Sequence, residues 1–194
     1  MLIKKNINHS KYIFWISILF IWILSTITDR IWWNLYSITP SWDQADYLNS
    51  ALDHARALSF LGADGASDFN SLLDKSPKIP PLASIINGAV ITFAGDAPHQ
   101  AAWSLSFWNG FFIFNIASWG LYLSGKKFGL FCVLISACSP FLFNLRTDYV
   151  LELPLISAIT FYLFHLGRWS DKSIGGKWIQ LIICLLYTSD AADE

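Results

Sequence analysis

Long apolar runs separated by short polar segments dominate the hydrophobic pattern of this chain. The first run, residues 12–28, carries no charged side chain, and several later runs approach the roughly 20 residues that a membrane-spanning helix needs. This pattern predicts an all-α fold, a polytopic transmembrane helical bundle with external juxtamembrane helices in its first loop. The predicted spans are residues 12–28, 100–125, 128–145 and 149–167, with a fifth beginning at 178, and residues 29–99 form the external loop.

The composition agrees with a membrane protein and argues against other classes. Hydrophobic residues make up 54% of the chain and charged residues only 14%, which is too apolar for an ordinary soluble domain. A net charge of −1, without a basic cluster interleaved with aromatic residues, argues against a nucleic-acid partner. The three cysteines and four histidines are scattered without the spacing of a metal site, so we predict no metal ligands.

Charged residues before the first run predict its orientation. Lys4, Lys5 and Lys11 precede the run, and positive residues favour the cytoplasmic side, so the N-terminus is expected in the cytoplasm. No small-residue cleavage site follows the run, which favours an uncleaved signal anchor over a removed signal peptide. We therefore expect a multi-pass protein of the plasma (inner) membrane, with the loop 29–99 on its outer side.

The uncharged run of residues 80–95 is ambiguous by length alone. It is shorter than a usual span and contains two prolines and a glycine. If it crossed the membrane, Lys126 and Lys127 would face outward, against the tendency of basic loops to remain cytoplasmic. We therefore predict a juxtamembrane or re-entrant helix that does not span.

A polar segment beyond the first run holds the first candidate for chemistry. Ser41 followed by Gln44 has the spacing of a capping box, so a helix is expected from residue 43 to about 58 with Asp43 in its first turn. Its amphipathic pattern is typical of a helix on an interface. The alternative is that the acids are only a helix-start charge and a solvated face. The acidic face holds Asp43, Asp46, Ser50 and Asp53, and the apolar face holds Ala45, Leu48, Leu52 and Ala55.

A second acidic group is predicted in the same compartment. The topology puts Arg146, Asp148 and Glu152 at the outer end of the hairpin between the third and fourth spans. Glu152 stands at the mouth of an apolar helix, where an ionisable side chain is costly unless it is paired or functional. The alternative is an interfacial ion pair of Arg146 with Glu152 or Asp148 that only caps the hairpin.

Four short motifs follow one another along residues 1–183. They are Asp43-Gln44-Ala45-Asp46-Tyr47, Lys78-Ile79-Pro80-Pro81-Leu82, the turn Gly125-Lys126-Lys127-Phe128-Gly129 followed by Ser139-Pro140, and Arg146 followed by Glu152-Leu153-Pro154-Leu155. In this order they resemble the GT-C superfamily of integral-membrane glycosyltransferases, particularly the protein O-mannosyltransferase and lipid A aminoarabinose-transferase branch. Gln44 stands where that family has the Glu of an Asp-Glu pair, and Glu152 where it has Asp.

The resemblance implies transfer of a sugar from a polyprenyl-phosphate donor to an acceptor on the extracytoplasmic face, with inversion at the anomeric carbon. It implies Asp43 as general base, Asp46 beside it in the catalytic group, and Glu152 as support for the acceptor or a metal. The implied substrate-binding residues are Lys78, Arg56, Arg146 and Tyr47. The implied partners are the lipid-linked sugar, a lipid, glycan or protein acceptor, and membrane lipid. No cofactor is implied with certainty, and a divalent metal stays open.

Two other function classes stay open on the sequence. A transporter or flippase fragment would use intramembrane charges along its pathway, whereas the acids here stand at the ends of predicted spans. A non-catalytic membrane assembly subunit would share the scaffold without the chemistry. Residues 184–194 resemble a translated sequencing adapter, so residues 1–183 are expected to be the N-terminal part of a longer enzyme and inactive alone.

Overall fold

The fold is described by a computed structural model that covers residues 2–36, 41–58 and 81–169. Every regular element in these ranges is an α-helix, which confirms the all-α prediction for them. The predicted fifth span at 178 and residues 184–194 lie outside the described residues. The helices are α1 (Leu2–Leu35), α2 (Trp42–Leu58), α3 (Pro81–Ala94), α4 (Pro98–Ala101), α5 (Trp103–Ser124), α6 (Lys126–Cys138), α7 (Pro140–Thr147) and α8 (Glu152–Trp169).

Helix α5 is central to the packing because it contributes to two hydrophobic clusters. Leu105 and Trp108, in its N-terminal half, belong to a cluster with residues of α2, α3 and the start of α8. Phe112 and Ile113, one turn further on, belong to a cluster with residues of α1 and α6. Helix α5 therefore connects the α2–α3 pair to the long N-terminal helix.

Helix α1 is longer than the uncharged run that predicts it. Its apolar stretch Ser10–Leu35 has 26 residues, so Asp29 and Arg30 lie inside the helix and not after it. Among the described residues, α1 is the one helix that is long and apolar enough to cross a membrane. A second membrane span is possible by the same criteria if α6 and α7 form one broken span. The predicted polytopic bundle therefore stays a prediction.

A glycine turn joins α5 to α6 at one end of the molecule. Gly125 has a φ of +86°, a conformation that favours glycine. A Cβ atom on Gly120 would lie 2.6 Å from the Cα atom of Gly129, so the two helices touch backbone to backbone. The Lys126 Nζ atom donates a hydrogen bond to the Ser10 Oγ atom at 2.7 Å, which ties this turn to the N-terminal end of the apolar stretch of α1.

The predicted third span, residues 128–145, is broken at Pro140. Helices α6 and α7 meet at 62° across Ser139, which has an extended backbone. Proline lacks the N–H group that would continue α6, and the Ser139 hydroxyl accepts the Leu142 N–H at 3.5 Å. The bend carries the end of α7 against α1, where Arg146 meets Asp29.

Helices α2 and α3 run in the same direction and pack through small residues. The Ser50 hydroxyl donates to the Ser84 hydroxyl at 2.8 Å, and one turn later Gly88 lies against the stretch from Ala51 to Ala55. The predicted helices over 43–58 and 80–95 are thus present. Ser50, which the sequence pattern places on the acidic face, is buried, and its hydroxyl contacts α3.

Replacing Gly88 by alanine is expected to loosen the α2–α3 pair. A Cβ atom there would lie 2.8 Å from both the Ala55 nitrogen and the His54 Cβ atom, which are not free to move. We expect Gly88→Ala to lower the free energy of unfolding by about 1–3 kcal/mol, despite the better helix propensity of alanine. Thermal unfolding of the purified protein, with Phe93→Ala as control at a position of α3 that is 93% exposed, measures this. A stability equal to that of the control variant would contradict the close packing.

Candidate acidic site between two helix starts

The first turn of α2 holds the predicted general base. Helix α2 begins at Trp42, and the Gln44 side-chain oxygen accepts the Ser41 backbone N–H at 3.2 Å. This is one of the two hydrogen bonds of a capping box, and it confirms the predicted helix start. Asp43 is exposed in the first turn, where the positive end of the helix dipole favours its carboxylate.

The start of α8 holds the second acidic candidate. Glu152 is the first residue of α8 and is exposed, so its carboxylate also lies at a positive helix end. The neighbouring residues Tyr149 and Leu153 are buried in the same cluster as Leu48 and Ala51 of α2. This shared cluster brings the start of α8 close to the first turns of α2.

Tyr47 lies where the two acidic helix starts meet. Its ring packs against the shared cluster, and partial burial raises the pKa of its phenol. The negative charges of Asp43, Glu152 and Asp46 raise this pKa further, in that order of effect. The carboxylates of both helix starts therefore lie within electrostatic range of the phenol. The structure therefore brings together Asp43, Asp46, Tyr47 and Glu152.

Arg146, a predicted phosphate ligand, forms a buried ion pair. Its Nε atom lies 3.0 Å from Asp29 Oδ2 and 3.3 Å from Oδ1, and one terminal nitrogen donates to the Ala137 carbonyl at 3.4 Å. Only 3% of Arg146 and 1% of Asp29 is exposed. The sequence left open an ion pair of Arg146 with Glu152 or Asp148. The structure shows an ion pair of Arg146 with Asp29 instead. This geometry directs the guanidinium to α1.

Arg30 attaches the C-terminal part of α1 to the start of α5. Its two terminal nitrogens donate to the backbone carbonyls of His99 at 3.0 Å and Ala102 at 2.9 Å. The guanidinium also lies 5.0 Å from the centre of the Trp103 ring. Together with the Asp29–Arg146 pair, these contacts attach α1 to both α5 and α7.

The other predicted cation candidates are not part of the described acidic cluster. Arg56 is exposed and pairs with Asp53 at 3.3 Å, 13 residues and therefore about 20 Å along α2 from Asp43. Lys78 lies outside the described residues. Within the described ranges, no group of three or more His, Cys, Asp and Glu side chains is arranged to hold a metal ion.

Asp29 is a structurally important residue that the sequence interpretation missed. The sequence pattern places it at the start of the predicted external loop 29–99, because the uncharged run ends just before it. The informative signal was present: α1 continues in helical and apolar pattern to Leu35, and a carboxylate inside such a helix needs a partner. The identity of that partner, more than 100 residues away, could not be read from local pattern.

These observations define an all-helical protein with an acidic site between two helix starts. No protein-family model, curated protein or solved structure matches the chain. The chemistry proposed below therefore depends on the site residues and on the motifs described above.

Proposed function

We propose that this protein is a membrane glycosyltransferase. It would transfer a sugar from a polyprenyl-phosphate donor to an acceptor hydroxyl on the extracytoplasmic face. The observation that carries the proposal is the meeting of Asp43, Asp46 and Glu152 around Tyr47. A carboxylate beside an acceptor hydroxyl can accept the hydroxyl proton as its oxygen attacks the sugar. A second carboxylate nearby can orient the hydroxyl that is to be deprotonated.

The reaction follows from these roles. Asp43 accepts the proton of the acceptor hydroxyl as its oxygen forms a bond to the anomeric carbon of the donor sugar. The bond between that carbon and the phosphate oxygen breaks, and the polyprenyl phosphate leaves with the electron pair. A cation beside the phosphate offsets the growing negative charge. Lys78 is proposed for this role. Arg146 already has a carboxylate partner in Asp29. Arg56 pairs with a carboxylate of its own helix, about 20 Å along α2 from Asp43.

The two ends of α1 support the proposed membrane topology. Ser10 contacts Lys126 at one end, and Asp29 contacts Arg146 at the other. Nineteen residues of helix separate Ser10 from Asp29, or about 29 Å, which is close to the thickness of a bilayer's hydrocarbon core. The basic turn and the acidic site are therefore proposed to face opposite sides of the membrane.

The exposed side of α1 supports a lipid environment. Ile16, Phe20 and Leu24 follow one another along this side, and each has more than half of its surface exposed. A soluble monomer rarely exposes so long an apolar patch, because its contact with water is unfavourable. Lipid chains are the proposed neighbours of this side.

Cysteine labelling from outside the cell is expected to modify the acidic side and spare the basic turn. Trp42 is 91% exposed and Lys127 is also exposed, so a cysteine at either position is accessible on its own side. In a background without native cysteines, an impermeant maleimide should label Trp42→Cys in intact cells and Lys127→Cys only after permeabilisation. Labelling of Lys127→Cys alone in intact cells would invert the topology and refute an extracytoplasmic site.

The proposed activity is tested by sugar transfer in isolated membranes. Membranes that contain the complete protein, expressed from its source gene, are incubated with radiolabelled polyprenyl-phosphate mannose or polyprenyl-phosphate aminoarabinose. We expect radioactivity to move from the donor into a product that resists the mild acid that releases sugar from the donor. Equal product in membranes with and without the protein, for both donors, would contradict the assignment to these donor classes.

A further inference from the structure

A buried polar network joins the external helices to the rest of the protein. The Trp108 Nε1 atom on α5 donates to the Asn87 Oδ1 atom on α3 at 2.7 Å. An indole nitrogen can only donate, so the Asn87 oxygen must face it and the amide nitrogen remains available as a donor. Each of these two side chains is 3% exposed. Water therefore cannot replace the bond if it is lost.

Helix α5 also contacts the turn that precedes α8. The Ser104 hydroxyl, one turn before Trp108 on α5, lies 3.4 Å from the Tyr149 hydroxyl. Tyr149 is itself 3% exposed and stands three residues before Glu152. Helix α5 thus joins Asn87, through Trp108, to the turn between α7 and α8, through Ser104.

The other side of α3 is coupled to the helix that carries Asp43. The Ser84 hydroxyl receives the Ser50 hydrogen bond, and Gly88 is packed against the backbone of α2. Ser50 is two turns after Asp43 on the same helix. A path of packed and hydrogen-bonded residues therefore runs from Asp43 through α2 and α3 to Asn87. It continues through Trp108 and Ser104 of α5 to Tyr149, next to the start of α8.

We propose that Asn87 is a positioning residue: its bond to Trp108 joins α3 to α5, which contacts the α7–α8 turn through Ser104, and so fixes the separation of the Asp43 and Glu152 helix starts. Its effect on reaction rate depends on the proposed function, but its effect on geometry does not. Misplacement of reacting groups by about 1 Å can cost on the order of 10²-fold in rate. The members of the network are buried, so the network is proposed to act on the orientation of the helices.

The geometric part is tested by distance measurement between spin labels. Labels are placed at the exposed positions Asn49 on α2 and Asp148 at the end of α7, in a background without native cysteines. We expect one narrow distance distribution for the wild type and a broader or shifted one for Asn87→Leu. Asn115→Leu is the matched control, because Asn115 is also buried but donates only to the Phe111 carbonyl of its own helix.

A second variant keeps the test decisive if Asn87→Leu does not fold. Trp108→Phe removes the indole N–H but keeps an aromatic ring, and should broaden the same distribution. The double variant should be no broader than the wider single variant, because both changes remove one shared interaction. An unchanged distribution in a folded Asn87→Leu or in Trp108→Phe would overturn the proposal, whether or not the protein transfers sugar.

The kinetic part uses the two donors already named. Asn87→Leu should lower kcat by about 10-fold to 10²-fold and leave the KM for the donor within about twofold, while Asn115→Leu retains the wild-type kcat. A raised KM with unchanged kcat would overturn the positioning role. If the wild type transfers no sugar from either donor, the proposed function fails, and the spin-label distances still decide the geometric claim.

Discussion

Asp43→Asn is expected to lower sugar transfer by on the order of 10²-fold or more, the usual effect of losing a general base. Asparagine has nearly the same shape as aspartate but cannot accept the proton of the acceptor hydroxyl. Asp43 is in the first turn of α2, exposed and close enough to Tyr47 to raise its pKa. If Asp43 only complements the helix dipole, its replacement would lower the free energy of unfolding by under about 1 kcal/mol and leave the rate of transfer unchanged. The two interpretations therefore predict well-separated results.

The matched controls are other carboxylates of the same helix. Asp46→Asn and Asp53→Asn remove one negative charge each, and we expect milder losses because Asp53 pairs with Arg56 and Asp46 has the smallest of the three effects on Tyr47. Transfer of a radiolabelled lipid-linked sugar is measured in membranes at matched expression. Near-normal activity of Asp43→Asn would make Asp43 a helix-start charge and remove the general base from the proposal.

Replacing Arg146 by methionine is expected to lower the free energy of unfolding by about 3–5 kcal/mol, because it leaves the Asp29 carboxylate buried without a partner. The pair is nearly inaccessible to water, and Arg146 also holds the Ala137 carbonyl at the bend between α6 and α7. Loss of the guanidinium therefore removes the attachment of α7 to α1. Thermal or denaturant unfolding of the purified protein measures the effect.

Two comparisons separate a structural role of Arg146 from a role in phosphate binding. Arg56→Met breaks the exposed pair with Asp53, and should cost no more than about 1 kcal/mol. Asp29→Leu combined with Arg146→Met removes both buried charges and should recover most of the lost stability. If Arg146→Met instead kept wild-type stability and raised the KM for the donor, Arg146 would be a phosphate ligand, as the motif resemblance implies.

The local elements could be predicted because their causes are local. The Ser41 and Gln44 spacing determines where α2 begins, and the apolar face with Leu48 and Ala55 determines which side of it is buried. The helix ending at Gly95, which has a φ of +106°, and the turn at Gly125 were also visible as short-range signals. The acidic candidates Asp43 and Glu152 were identified for the same reason, since each stands beside an apolar helical segment.

What the sequence alone determined about this protein is the all-α class, the existence of most helices and the types of side chain at the candidate site. Only the tertiary structure decided which of those side chains meet. Arg146 pairs with Asp29, which lies 117 residues away in the sequence. The buried Ser50 hydroxyl donates a hydrogen bond to the Ser84 hydroxyl on another helix. Such partners depend on how helices that are distant in sequence pack together, because a buried charge or hydroxyl must find its hydrogen-bonding partner among the groups that are close to it in space.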